Sequence, residues 1–174
     1  MIPYFVADED AAVEVLATDG SLHQIRFEIS GDPRPLERPR FARMLHRIGR
    51  SYPLMYNPSR RIIRNFKAAA REVLLIQPGE TTAFSNQDYL EVDCWFVFSR
   101  PPSHFNNDGS LREDAPRFPL VSDVDNMGKL VLDALEGILY PNDKRIIDLR
   151  LIKSYPPAEY PRDFGRTLIK ACVV

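Results

Sequence analysis

The sequence predicts an α+β domain, on three observations. Apolar residues recur at every second position in 24–29, 89–98 and 147–152, the spacing of half-buried strands. They recur at helical spacing in 59–74 and 124–137, which gives two main helices. The 174 residues, 44% of them hydrophobic, suffice for one domain with its own core. Residues 1–174 therefore read as a single domain, with 1–20 as an N-terminal extension or hairpin.

The first twenty residues carry the weakest signal. Val13 and Val15 alternate with polar neighbours, and Thr18-Asp19-Gly20 is a turn sequence, so a hairpin into the next strand is expected. Ile25, Phe27 and Ile29 alternate with Gln24, Arg26 and Glu28, and Gly31 and Pro33 end that strand. Residues 31–58 hold Pro33, Pro35, Pro39, Pro53 and Pro58, which disfavour helix through most of the segment. An ordered loop or series of turns is expected there, presenting Arg38, Arg40 and Arg43, with an irregular surface connection as the alternative.

Ser59 has the chemistry of a helix N-cap. After it, Ile62, Phe66, Ala69, Ala70, Val73 and Leu74 form one apolar stripe. Arg60, Arg64, Lys67 and Arg71 fall off the stripe, toward solvent. Pro78 and Gly79 are the expected stop. Leu90, Val92, Cys94, Phe96 and Phe98 make the apolar face of the clearest strand, with Cys94 as core and Asp93 on the polar side. Residues 100–121 read as a long, proline-rich loop running straight into a group of aspartates, the position of a substrate-contacting flap. The second helix follows, capped by Asp125 or Asn126 and ended by Gly137. Strands over 147–152 and 167–173 complete the chain.

Composition excludes several classes. Two cysteines and three scattered histidines give neither a disulfide framework nor zinc-ligand spacing. No apolar run is long enough for a membrane span, and the acidic start lacks a basic n-region, so a soluble cytoplasmic protein with no membrane partner is expected. Net charge is only −1, but it is segregated. Residues 34–71 contain eleven basic residues and one acid, a balance of +10, which leaves −11 for the rest of the chain. Such segregation can create a local positive field on a nearly neutral protein. Ten of the eleven are arginine, whose planar fork suits phosphate.

Asp123 and Asp125 stand two apart at a helix entry, where both carboxylates can face one site. The helix N-terminus favours negative charge. Asp143 follows the helix, at the start of the next strand. Three carboxylates without clustered sulfur or imidazole suit Mg²⁺ or Mn²⁺ rather than zinc. Such a metal can activate water against phosphorus. A calcium loop would need a denser run with a glycine and a closing glutamate, which is missing here. Lys129 lies four residues after Asp125 and four before Asp133, on one helix face. It could meet a phosphate, or form a surface ion pair with either acid. Asp133 is expected to be a buried structural acid paired with Lys129.

The block Asp123-Val124-Asp125-Asn126, Lys129, Leu132-Asp133-Ala134-Leu135-Glu136-Gly137, Tyr140, Asp143 and Lys153 resembles the RusA family of Holliday junction resolvases, found in bacteria, phages and prophages. Gly31-x-Pro33, Arg38-Pro39-Arg40-Phe41, Tyr56-x-Pro58, Arg100-Pro101 and Ser103-His104 extend the resemblance over roughly residues 25–155. It implies a RusA-like α+β fold with a mixed sheet packed with two main helices. It also implies a homodimeric, Mg²⁺-dependent endodeoxyribonuclease that nicks two opposed strands of a four-way junction in recombination and repair. By position, Asp123, Asp125 and Asp143 match the family's catalytic metal-binding aspartates, and Lys129 its essential lysine. Arg38, Arg40, Arg43, Arg60, Arg64, Lys67 and Lys153 are the expected DNA-binding residues. The chain departs from the family at Leu36, where a lysine is usual, at Asn142, where a second acid is common, and at Arg145, often glutamine. The alternatives are a non-catalytic branched-DNA binding protein and a nuclease for forks or flaps.

Overall fold

The computed structural model describes residues 13–18, 21–47, 50–77, 82–160 and 164–174. Seven strands and two helices follow in the order β1 (Val13–Thr18), β2 (Ser21–Ser30), β3 (Arg40–Arg47), β4 (Arg50–Tyr56), α1 (Arg60–Leu74), β5 (Leu90–Val97), α2 (Val124–Leu135), β6 (Ile146–Ser154) and β7 (Arg166–Val173). Five strands form one sheet in the order β1-β2-β7-β5-β6; β3 and β4 form a separate ribbon. Among the described strands only β5 and β6 run parallel, so the sheet is mixed, as expected. The parallel step exists because the crossover between them contains α2.

Register explains the core. Side chains paired across neighbouring strands share a sheet face. One row therefore holds Phe27, Ile169, Cys94 and Leu151, and the next holds Ile29, Thr167, Phe96 and Lys153. Phe27, Ile169, Cys94 and Phe96 are buried, as the alternation in the sequence requires. Burial pushes the Cys94 thiol up to about 12, with a smaller contribution from Asp93. Asp93 itself is on the opposite face of a strand flanked on both sides.

The helices close the buried face. α1 rests on β2 and on α2, and α2 rests on β6. Ala70 is buried, and Phe66, Ala69, Val73 and Leu74 pack against the core. On α2 the inward residues are Met127, Gly128, Leu130, Val131, Ala134 and Leu135. Gly128 permits the close approach to β6, since a Cβ there would lie 2.5 Å from Leu151 Cδ1.

The N-terminal hairpin is present: β1 pairs antiparallel with β2 at the sheet edge. Residues 1–12, and Asp19-Gly20 of the expected turn, are outside the described residues, as are Pro78 and Gly79. Residues 31–58 depart from the expectation of a loop or series of turns, because β3 and β4 form a ribbon within them. Proline is compatible with that ribbon. Pro39 precedes it, and Pro53 lies opposite Met44 beside a register shift, in a two-stranded sheet where every strand is an edge.

Helix ends also differ in detail. Ser59 occupies the N-cap position but makes no side-chain cap bond; its hydroxyl accepts from Glu37 N at 2.6 Å. α1 stops at Leu74, followed by Leu75 in the left-handed region (φ 55°), before the proline and glycine expected to end it. The N-cap of α2 is Asp123, two positions before Asp125 and three before Asn126. Gly137 (φ 74°) does follow its C-terminus. Among the described residues, no helix is long and apolar enough to cross a membrane.

Candidate active site

The N-terminal turn of α2 carries two of the three aspartates. The chain arrives from residues 99–123, which contain a short 3₁₀ turn and local hairpin-like bonds but no strand. The two acids therefore stand at a helix entry, as expected. Asp123 sits at the N-cap with extended backbone (φ −76°, ψ 137°) and is exposed. Its carboxylate makes no cap bond to the helix; among the described residues it accepts a long 3.4 Å contact from Asn126 Nδ2. A carboxylate at this position that leaves the helix amides alone is available to an external cation.

Asp125, Lys129 and Asp133 line the outer face of α2 at four-residue spacing, and all three are exposed. Asp133 is thus not the buried acid expected. Among the described residues, Lys129 forms an ion pair with neither neighbour. Lys129 is exposed about one turn after Asp125.

Asp143 stands beyond the other end of α2, and the structure does not bring it into one metal-holding group with Asp123 and Asp125. Tyr140 folds back to donate its hydroxyl to Leu132 O at 3.1 Å, and Gly137 N bonds Tyr140 O at 2.8 Å. This tight return delivers Asp143 to a 3₁₀ turn, 143–145, at the start of β6. Burial raises the Tyr140 hydroxyl far above its usual range, and Cys94, Asp143, Glu136 and Asp133 add to it by charge. Asn142 caps the 3₁₀ turn, its Oδ1 accepting from Lys144 N at 3.0 Å. Arg145 lies over the Tyr89 ring, 5.3 Å from its centroid.

Among the described residues, no three His, Cys, Asp or Glu side chains stand close enough together to hold a metal ion. Magnesium does not demand such a cage. It commonly takes one or two carboxylates and completes its shell with waters and substrate phosphate. Asp123 and Asp125 fit that requirement in donor type and accessibility.

The basic segment is tied directly to this helix entry. Leu36 N donates to Asn126 O at 2.9 Å, and Glu37 N donates to the fully buried Ser59 at the start of α1. Residues 36 and 37 thus bridge the first turns of both helices. The sequence did not mark Asn126 or Ser59 for this role; only the spatial neighbourhood reveals it. Arg38 and Arg40 follow, both exposed, with Arg40 in a surface ion pair to Glu37 at 2.8 Å. Such a pair is weak and easily exchanged for phosphate. Arg60 and Arg64 are exposed on α1. The side chain of Arg43 is outside the described residues.

Two residues expected to contact DNA have protein partners here. Lys67 is half-buried and donates to Glu136 O, at the C-terminal end of α2, at 2.7 Å. Lys153 reaches Ser122 O at 2.8 Å and Val121 O at 3.5 Å. Arg71, also expected in solvent, is half-buried. Both lysines have long stems that can lie along apolar surface, so sequence spacing alone does not fix where the charged end goes.

The preceding loop is pinned at its root. Arg100 lies over the Tyr155 ring at 4.7 Å and donates to Pro156 O at 3.3 Å. His104 meets the same ring edge-on at 5.2 Å. Burial, then Arg100 and Arg112, hold the His104 imidazole below its ordinary pKa. Downstream, Phe118, Leu120 and Val121 are exposed just before Asp123.

No curated protein matches the chain. The sequence model of the family described as endodeoxyribonuclease RusA matches residues 30–162, from the end of β2 to the approach to β7. That match covers most of the chain, including every aspartate and arginine placed above, and the chain belongs to the RusA endodeoxyribonuclease family.

Proposed function

We propose that this chain is a Mg²⁺-dependent, structure-specific endonuclease that resolves four-way DNA junctions by paired phosphodiester hydrolysis, acting as a homodimer in recombination and repair. The observation that carries the reading, beside family membership, is the junction of two features. The accessible Asp123–Asp125 turn is hydrogen-bonded through Asn126 O to the segment that presents Arg38 and Arg40. A nuclease needs its phosphate grip fixed relative to its metal-holding carboxylates, and this bond supplies such a link.

In this proposal Asp123 and Asp125 would hold the metal at the α2 entry; Asp143, which does not stand with them in one metal-holding group here, would join only on a rearrangement with metal and DNA bound. Magnesium, or manganese in its place, would supply Lewis acidity toward phosphate and water if held there. Asn126 restrains the Asp123 carboxylate. Lys129 places a cation beside the phosphate, where it offsets charge that builds up during displacement. Arg38, Arg40, Arg43, Arg60 and Arg64 bind and orient the flanking backbone.

A dimer matches a junction because a twofold substrate offers two equivalent scissile phosphates. The open edge of β6, where Ile147 is 58% and Leu149 39% exposed, is the face on which a second copy is expected. Light scattering on the free protein reads this directly.

The reading is tested by incubating the protein with junction, fork, flap and duplex DNA in Mg²⁺, with EDTA as control. It predicts symmetric nicks in the junction and none with EDTA. Cleavage mainly at forks or flaps would reassign the substrate. Binding to the junction without cleavage of any substrate would favour a non-catalytic branched-DNA binder.

A further inference from the structure

We propose that Lys153 is a positioning residue that acts through the backbone of Ser122 to place Asp123, and does not contact DNA. The inference rests on the reading of Asp123 as a metal-holding carboxylate. Three observations carry it.

Ser122 has φ 61°, one of two non-glycine residues with positive φ among the described residues. A side chain at such φ is disfavoured, and a residue held there is held by its surroundings. The conformation sits immediately before Asp123, so it sets the direction in which the chain enters α2.

The group that holds it is identifiable. Lys153 Nζ donates to Ser122 O at 2.8 Å and also lies 3.5 Å from Val121 O. One cation thus bonds the peptide joining Ser122 to Asp123 and approaches the peptide before it. Charge-assisted bonds of this kind are the stronger class of hydrogen bond.

Lys153 is itself on a rigid base. It shares a row with Phe96, Thr167 and Ile29 on the helix-facing side of the sheet. Phe96 and Thr167 are almost fully buried. Its stem therefore rises from the packed layer toward α2, and its ammonium is engaged before it could reach a phosphate. The loop of residues 99–121 makes a long approach to the site; Lys153 is the point at which its end is fixed. A small displacement at such a support shifts the reacting geometry and lowers the chemical step more than binding.

The test uses the full chain with Lys153→Met, Lys153→Arg, and Ser122→Gly in the Lys153→Met background. Junction affinity is measured in EDTA over a range of salt, single-turnover cleavage in Mg²⁺, and backbone hydrogen exchange over residues 121–127. Lys153→Met is expected to slow cleavage about tenfold to a hundredfold. Its affinity and salt slope should stay those of the parent, and exchange at 121–127 should quicken. Lys153→Arg, which can still donate to the carbonyl, should retain most of the rate and the slow exchange. Glycine at 122 takes positive φ without a side-chain penalty, so it should recover part of the lost rate.

A weaker affinity with a salt slope smaller by about one contact would identify Lys153 as a phosphate ligand and overturn the proposal. Parent-like cleavage and exchange in Lys153→Met would overturn it equally. If the parent cleaves no DNA, the nuclease reading fails, while the exchange data still decide whether Lys153 holds the 121–127 turn.

Discussion

Replacing Lys67 by methionine keeps a stem of similar length and removes the ammonium that bonds Glu136 O at 2.7 Å. That carbonyl belongs to the C-cap residue of α2, where helix carbonyls lack amide partners and the dipole is negative. A hydrogen bond to a charged group contributes about 1.5–3 kcal/mol when buried. Lys67 is only half-buried, so water recovers part of the loss, and about 1–2 kcal/mol is the expected cost. In a domain of this size that lowers Tm by about 2–8 °C. Thermal and urea unfolding read the stability, and junction binding across a salt series reads the charge. The expected result is a lower Tm and urea midpoint with an unchanged salt slope. An unchanged Tm with a slope smaller by about one phosphate contact would refute the reasoning, because Lys67 would then face DNA.

Three further outcomes follow from other parts of the molecule. Arg40→Ala and Arg64→Ala should weaken junction binding and flatten its salt dependence by about one contact each, since both side chains are exposed and Arg40 is held only by Glu37; an unchanged slope removes them from the interface. Gly165→Ala should destabilise by about 1–3 kcal/mol, because its Cβ would lie 2.8 Å from Asp32 N and 3.0 Å from Asp32 Cα, and backbone must move; a parent-like urea midpoint would count against this close approach. Cys94 makes stability fall in alkali. The unfolded thiol ionises near its ordinary value of 9.0 while the folded one stays protonated up to about 12, so its contribution is complete below the first value and is lost as pH rises toward the second. The slope is about 1.4 kcal/mol per pH unit in that window, and Cys94→Ala should remove it from the urea midpoints.

The sheet and the core were legible because their signal is local. Alternation alone identified Ile25, Phe27 and Ile29, and Leu90, Val92, Cys94 and Phe96, as inward, and all are buried. The helix stripe around Ala70 was legible for the same reason. The β3–β4 ribbon was hidden by its prolines, which exclude a central strand but are tolerated where every strand is an edge. Ser59 illustrates a second limit. Its cap position was readable, but its hydroxyl bonds Glu37, 22 residues earlier in the chain, and no periodicity announces such a partner.

The site divides in the same way. Asp123, Asp125 and Lys129 lie within two turns of one helix, and their closeness in sequence was readable, whereas their exposure came from the fold. Asp133 was misjudged because a four-residue step keeps it on the same outer face as Lys129, away from the packed side. The ends of Lys67 and Lys153 reach carbonyls 69 and 31 residues away in sequence, so their assignment required the fold. The arginine segment was visible as charge, but its bond to the aspartate helix through Leu36 N and Asn126 O was not.

The central claim is that the Asp123 carboxylate, at the entry of α2, supports metal-dependent cleavage of branched DNA. Single-turnover cleavage of a four-way junction in Mg²⁺ by Asp123→Asn, measured beside junction binding in EDTA, tests it most directly. The account predicts parent-like binding and no detectable cleavage, since the substitution keeps size and shape and removes the charge that would hold the cation. Cleavage at the parent's rate would contradict it.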